Sequence, residues 1–137
     1  MRVSRGSRPS GKDLVLFFYP KDDTPGCTAE ACGFRDAHQS FVDAGCTVVG
    51  VSSDSAESHA AFAARHRLPY TLLTDSGAKL RGAFKVPSAD PFGLIPGRVT
   101  FVISKEGKLL HSFTSLLDAT AHVREAMEAL KKAGSAV

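Results

Sequence analysis

Two cysteines carry the chemistry that is most readable in this chain. Cys27 lies in the stretch Pro20-Lys21-Asp22-Asp23-Thr24-Pro25-Gly26-Cys27-Thr28-Ala29-Glu30-Ala31-Cys32. Ahead of it runs Leu14-Val15-Leu16-Phe17-Phe18-Tyr19, which has the length and composition of a buried strand. Behind it a helical pattern reaches to about Ala44. Cys27 is therefore placed where a strand hands over to a helix, in the helix's first turn. Unpaired backbone N–H groups and the positive end of the helix dipole stabilise a thiolate there. The expected chemistry of Cys27 is nucleophilic attack.

Cys32 follows five residues later. On an ideal helix that spacing means a rise of about 7.5 Å and a rotation of about 140°, so the Cα atoms lie about 8–9 Å apart. A disulfide needs Cα atoms at about 4.4–6.8 Å. The two sulfurs cannot bond while the helix is intact, and bonding requires its first turns to unwind. The spacing is not Cys-x-x-Cys, which disfavours a thioredoxin-type dithiol. Neither does it make a zinc site: one further cysteine exists, and His38, His59, His66, His111 and His122 show no paired ligand spacing. Each histidine reads as a solvated or ordinarily packed side chain. Cys46 opens a core strand and reads as a small buried apolar residue. An odd number of cysteines, three, with no secretory signal at the N-terminus, suits a reducing compartment rather than a disulfide framework.

The elements that must position these residues follow from the pattern. Thr24 is placed as N-cap and Pro25 at the first helical position. Phe34, Ala37, Phe41 and Ala44 fall on one helical face, whereas Cys32 shares a polar stripe with Asp36, Gln39 and Asp43 and should be partly accessible. Gly45 ends the helix. Cys46 to Ser52 reads as a second buried strand. Asp54 with Glu57 makes a capping box for a helix to about His66. Leu68 to Leu73 turns into a short strand, and Asp75 caps a brief helix through Gly82. Pro87 to Gly97, holding three prolines and two glycines, is a loop long enough to have a function, with Phe92 and Ile95 either lining a site or anchoring the loop. Val99 to Ser104 and Lys108 to Phe113 bracket a hairpin turn at Lys105-Glu106-Gly107. Asp118 caps a last helix that turns Val123, Ala126, Met127 and Leu130 inward. That order predicts one domain: a three-layer α/β/α arrangement around a mixed sheet.

The composition excludes some classes. No apolar run approaches the length of a membrane span. The net charge of +3 is local: residues 1–12 carry Arg2, Arg5, Arg8 and Lys12 without an acid, leaving 13 bases against 14 acids elsewhere. A basic, poorly ordered tail is expected, with no nucleic-acid face on the domain from 13 to 137.

Pro20-x-x-x-Thr24-x-x-Cys27 resembles the active-site motif of peroxiredoxins. The longer string, Phe18-Tyr19-Pro20 through Thr24-Pro25-Gly26-Cys27-Thr28 and Ala31-Cys32-Gly33-Phe34-Arg35-Asp36, is similar to the peroxiredoxin Q, or bacterioferritin comigratory protein, branch. The likeness continues through Leu68-Pro69-Tyr70-Thr71-Leu72-Leu73-Thr74-Asp75, Phe92-Gly93 and Pro96-Gly97-Arg98, and covers roughly residues 12–132. The resemblance implies a thioredoxin-like α/β/α fold, no cofactor and no metal. It implies a peroxidatic Cys27 that becomes a sulfenic acid, and a Thr24 hydroxyl bonded to thiolate and peroxide. Arg98 would hold the thiolate charged and polarise the peroxide, and Pro20 would shield the site. Cys32 would resolve the sulfenic acid as an intramolecular disulfide that thioredoxin, or a glutaredoxin-like protein, reduces. Hydrogen peroxide and alkyl hydroperoxides are the implied substrates of a monomer. The implied location is soluble and intracellular, in a plastid or in bacterial cytoplasm, and the Phe92 to Arg98 loop leans towards the plastid. The family's N-terminal hairpin has no counterpart ahead of Leu14, which predicts an uncovered sheet edge. Two other classes compete: a peroxide-sensing redox switch or chaperone-like binding protein, and a metal-binding module.

Overall fold

The computed structural model describes residues 12–86 and 97–135. The basic tail ahead of Lys12 and the loop from Pro87 to Pro96, with Phe92 and Ile95, lie outside the described residues.

The apolar run forms β1 (Asp13–Phe18). The other strands are β2 (Cys46–Ser52), β3 (Thr71–Thr74), β4 (Val99–Ile103) and β5 (Leu109–Thr114). They form one sheet in the order β3-β2-β1-β4-β5. β1, β2 and β3 run parallel, whereas β4 and β5 are antiparallel to their neighbours. The helices are α1 (Pro25–Asp36), α2 (His38–Asp43), α3 (Ala56–His66), α4 (Lys79–Ala83) and α5 (Ala121–Ser135).

β1 is apolar on both faces because both are covered, the expected state of a central parallel strand. Val15, Phe17 and Tyr19 pack with Phe34, Phe41, Phe62, Ala126 and Leu130, drawn from α1, α2, α3 and α5. Leu14, Leu16 and Phe18 pack on the other face with Val49, Val51, Phe84, Val99, Phe101 and Ile103. Each buried Phe contributes about 2 kcal/mol from its apolar area. Phe17 stacks on Phe34 at 4.5 Å, which presses α1 onto the end of β1 and sets where Cys27 lies.

Several elements differ from the sequence reading. The single helix to Ala44 breaks at Ala37, whose backbone turns to φ −93°, ψ 1°. The break lets α1 lie against α5 and α2 against β2, which one straight helix could not do. Phe34 and Phe41 are buried as expected, but Ala44 is exposed. Ser55, rather than Asp54, caps α3, its hydroxyl accepting from the Ser58 N–H at 3.1 Å. Asp54 is drawn away by the Asp22 N–H at 2.8 Å and the Ser52 hydroxyl at 2.6 Å. Asp75 does cap a helix, but across a short 3-10 turn, by accepting from the Leu80 and Arg81 N–H groups. Gly45 ends α2 at φ 74°, a left-handed value that glycine adopts without strain. Asp118 caps α5 through the Ala121 N–H at 3.3 Å.

Candidate active site

Between β1 and α1 the chain crosses the carboxyl end of the parallel strands, where open α/β sheets form their sites. The crossing is fixed by buried polar contacts. The Tyr19 hydroxyl donates to Asp22 Oδ1 at 2.5 Å, and the Ser58 hydroxyl donates to Asp22 Oδ2 at 2.8 Å. His59 Nδ1 lies 2.8 Å from the same Oδ2, and His59 Nε2 lies 3.0 Å from the Leu73 carbonyl. Asp22, Asp54 and His59 each bring one ligand-type atom within 4.8 Å of the others. Those atoms are already hydrogen-bonded, so the group ties the loop to α3. Two of the histidines read as solvated or ordinarily packed are buried members of polar networks: His59 here, and His122 between the Thr100 hydroxyl and the Ser115 carbonyl.

Thr24 occupies the N-cap position of α1 without a side-chain cap bond. Its hydroxyl donates to the Lys21 carbonyl at 2.8 Å. With its proton so placed, the oxygen has lone pairs left to accept a bond from a ligand. Pro20 is half-buried at the turn and Cys27 is 1% exposed in the first turn of α1. Cys32 is half-buried one and a half turns further on, and all three cysteines are free thiols. Cys46 is buried, and burial pushes its thiol up to about 12, which makes it unreactive.

Arg98 comes to Cys27 from just ahead of β4, the strand that pairs with β1. It is 4% exposed. Its Nη1 donates to Glu30 Oε1 at 2.6 Å, and its Nε donates to the Leu116 carbonyl at 3.0 Å. Its Nη2 lies 2.9 Å from where a Cβ on Gly26 would sit. Gly26 is thus a glycine because a pinned guanidinium passes that close. Burial works against the Arg98 charge, but Glu30 and the hydrogen-bonding Cys27 outweigh it and raise the group above its ordinary value.

Arg81 is a second buried arginine beside the site. Its Nη2 donates to the Tyr19 carbonyl at 2.6 Å and its Nη1 to the Gly97 carbonyl at 2.8 Å. The guanidinium lies 5.6 Å from the centre of the Phe18 ring. Burial lowers its basicity, against the pull of Asp75 and Cys27. Glu30 is wholly buried, and burial pushes its carboxyl up to about 8 despite Arg98.

The structure brings Cys27, Arg98 and the Thr24 turn together, with Cys32 near but on another face of α1. Sequence reasoning missed Glu30, Arg81 and His122. For Glu30 a signal existed: it stands on the stripe of Cys27, Phe34 and Phe41, and a carboxylate on an apolar stripe needs a buried partner. Nothing local marked Arg81 or His122.

Comparison with known proteins matches residues 3–112 to the AhpC/TSA family. The chain is 46% identical over 125 residues to chloroplastic peroxiredoxin Q of Sedum lineare, covering 91% of this chain and 67% of that protein. It is 45% identical over 125 residues to chloroplastic peroxiredoxin Q of Triticum aestivum, covering 91% of this chain and 57% of that one. The chain thus spans between about half and two thirds of these relatives' length. Among solved structures, peroxidoxin BcpB of Mycobacterium tuberculosis superposes with a TM-score of 0.80 at 38% identity, over 88% of this chain and 79% of that one. The bacterioferritin comigratory protein of Xanthomonas campestris, described for its alkyl peroxide reduction, gives 0.82 at 33% identity, over 90% and 81%. The fold is the thioredoxin-like arrangement of these structures. On sequence and fold together, the chain belongs to the AhpC/TSA family of peroxiredoxins, in its peroxiredoxin Q or bacterioferritin comigratory protein branch.

Proposed function

We propose that this chain is a thiol peroxidase that reduces hydrogen peroxide and alkyl hydroperoxides through Cys27. The observation that carries the reading is the buried Arg98 guanidinium, held by Glu30 and Leu116 against the first turn of α1, where it faces Cys27. A cation and a helix N-terminus both favour the thiolate. The thiolate attacks the terminal peroxide oxygen, and Arg98 stabilises charge on the leaving oxygen. Thr24 accepts a hydrogen bond from the bound peroxide, and Pro20 keeps bulk water from the sulfur. The product is a Cys27 sulfenic acid.

Cys32 then displaces water from it to form a Cys27–Cys32 disulfide. Both cysteines lie on α1, so the helix must open for the sulfurs to meet. A thioredoxin or glutaredoxin-like dithiol restores the pair. The chloroplastic names of the plant relatives favour a plastid, and the working unit is a monomer. Peroxide consumption with a thioredoxin system tests the reading on wild type and Cys27→Ser. Loss of turnover in the variant is expected, and unchanged turnover would sink the proposal. Mass spectrometry after one equivalent of peroxide should show the Cys27–Cys32 bond.

The same opening of α1 could serve a peroxide sensor. Rapid turnover with reductant present would separate the enzyme from a switch.

A further inference from the structure

Arg98 divides its fork between two acids. One nitrogen holds Glu30 Oε1 at 2.6 Å, another holds the Leu116 carbonyl, and the remaining one lies beside Gly26 and Cys27. Glu30 is wholly buried, and its Oε2 has no hydrogen-bond partner among the described residues. The basic atom facing it is His122 Nδ1, at 3.5 Å. His122 Nε2 lies 2.7 Å from the Ser115 carbonyl, which can only accept, so Nε2 carries the ring proton. Burial lowers the basicity of the ring, which favours its neutral form. In that form Nδ1 accepts from the Thr100 hydroxyl at 2.8 Å and offers Oε2 neither charge nor donor. Tyr70 faces the same site with its hydroxyl committed to the Ala31 carbonyl at 2.6 Å. Arg81 also lies towards Cys27, but Asp75 balances it. Among the described residues Arg98 thus serves two buried acids, Cys27 and Glu30. A second uncompensated anion in such an interior is costly, so the pair shares a single negative charge.

We propose that Glu30 is the proton reservoir of peroxide reduction, protonated while Cys27 is a thiolate and ionised once Cys27 is a neutral sulfenic acid. The inference rests on the peroxidase reading above. In the step, the sulfur attacks the terminal peroxide oxygen, the S–O bond forms and the O–O bond breaks. Sulfur is oxidised by two electrons, the peroxide is reduced, and an oxyanion leaves. That oxyanion gains one proton and Glu30 gives one up. Thiolate, hydroperoxide and carboxylic acid thus become sulfenic acid, alcohol (or water) and carboxylate. Arg98 keeps one anionic partner before and after. Burial supports the assignment by pushing the Glu30 carboxyl up to about 8. Glu30 does not touch the peroxide; it acts through Arg98 as a charge-balancing, positioning residue.

The test is proton stoichiometry. Reduced protein carrying Cys32→Ser is mixed with one equivalent of hydrogen peroxide in weakly buffered solution at pH 7 with an indicator dye, and mass spectrometry counts oxidised Cys27. With Glu30 present, proton uptake from solvent should be near zero per Cys27 oxidised. In the additional Glu30→Gln background it should rise to near one. Equal uptake in both proteins, with Cys27 oxidised in each, overturns this inference alone. Failure of Cys27 to oxidise in the protein that keeps Glu30 overturns the peroxidase reading and the inference with it. Difference infrared spectra supply a measurement that needs no variant to fold. A buried carboxylic-acid band present in the reduced protein should vanish on oxidation, and its persistence overturns the assignment.

Discussion

Replacing Glu30 with glutamine should change how the stability of the reduced protein depends on pH. Glu30 is wholly buried, and burial pushes its carboxyl from an ordinary 4.5 up to about 8, against the pull of Arg98. The unfolded chain releases that proton near the ordinary value. Between the two, the native state holds a proton that the unfolded state has lost, so stability falls as pH rises, by about 1.4 kcal/mol per pH unit. Below the ordinary value both states are protonated and the full stability is present. Above pH 8 the loss is complete, and over the window it reaches at most about 5 kcal/mol, comparable with the total stability of a small domain. Glutamine has no proton to lose. Urea unfolding of reduced wild type and Glu30→Gln from pH 5 to 8.5 gives the difference directly, and the variant should gain on the wild type as pH rises. His122 acts in the opposite sense, since burial lowers its basicity and stability is lost as pH falls below its ordinary 6.5. It is common to both proteins and cancels in the difference. Parallel curves would refute the reasoning, because they would mean that Glu30 stays ionised and that Arg98 fully offsets its burial.

Other perturbations test the geometry around Cys27. Arg98→Lys keeps a charge but loses the fork that reaches Glu30, Leu116 and Cys27 at once. Hydrogen bonds to charged groups contribute about 1.5–3 kcal/mol each. The peroxide kcat/KM should therefore fall about 10- to 100-fold. Gly26→Ala places a methyl 2.9 Å from Arg98 Nη2. Because that guanidinium is pinned, the expected result is a slower peroxide reaction of Cys27, by about 10-fold if one bond of about 1.4 kcal/mol is lost, and an unchanged rate would show that Arg98 can move aside. Cys46, buried and pushed up to about 12, should stay unlabelled by iodoacetamide in the native protein at pH 8, while peptide mapping finds Cys27 and Cys32 modified.

Much of the fold was legible because local rules agreed with the tertiary solution. The β2 boundaries, Cys46 to Ser52, are those read from the sequence, since an apolar run bounded by Gly45 and a Ser-Asp turn has few alternatives. The inward face of α5 also came through, with Ala126 and Leu130 buried, because a stripe at helical spacing fixes its own orientation. The break at Ala37 was not legible. Ala37 has no feature that stops a helix, and what interrupts it is the placing of α1 on α5 and α2 on β2. The Asp54 cap failed for a related reason: a carboxylate able to cap α3 met the Asp22 loop, which lies 32 residues away in sequence.

The sequence by itself determined which cysteine is the candidate nucleophile. A cysteine after Pro25-Gly26, between an apolar strand and a helix, is placed by short-range rules alone, and the spacing to Cys32 follows from helix geometry. What only the tertiary structure decided is the electrostatics of that cysteine. Arg98 stands 71 residues from Cys27 in the chain, it pairs with Glu30 on α1, and His122 of α5 lies 3.5 Å from the other oxygen of Glu30. Whether a buried carboxyl is charged depends on the solvent removed from it and on the one cation it must share, and neither quantity exists until α1, β4 and α5 have packed together.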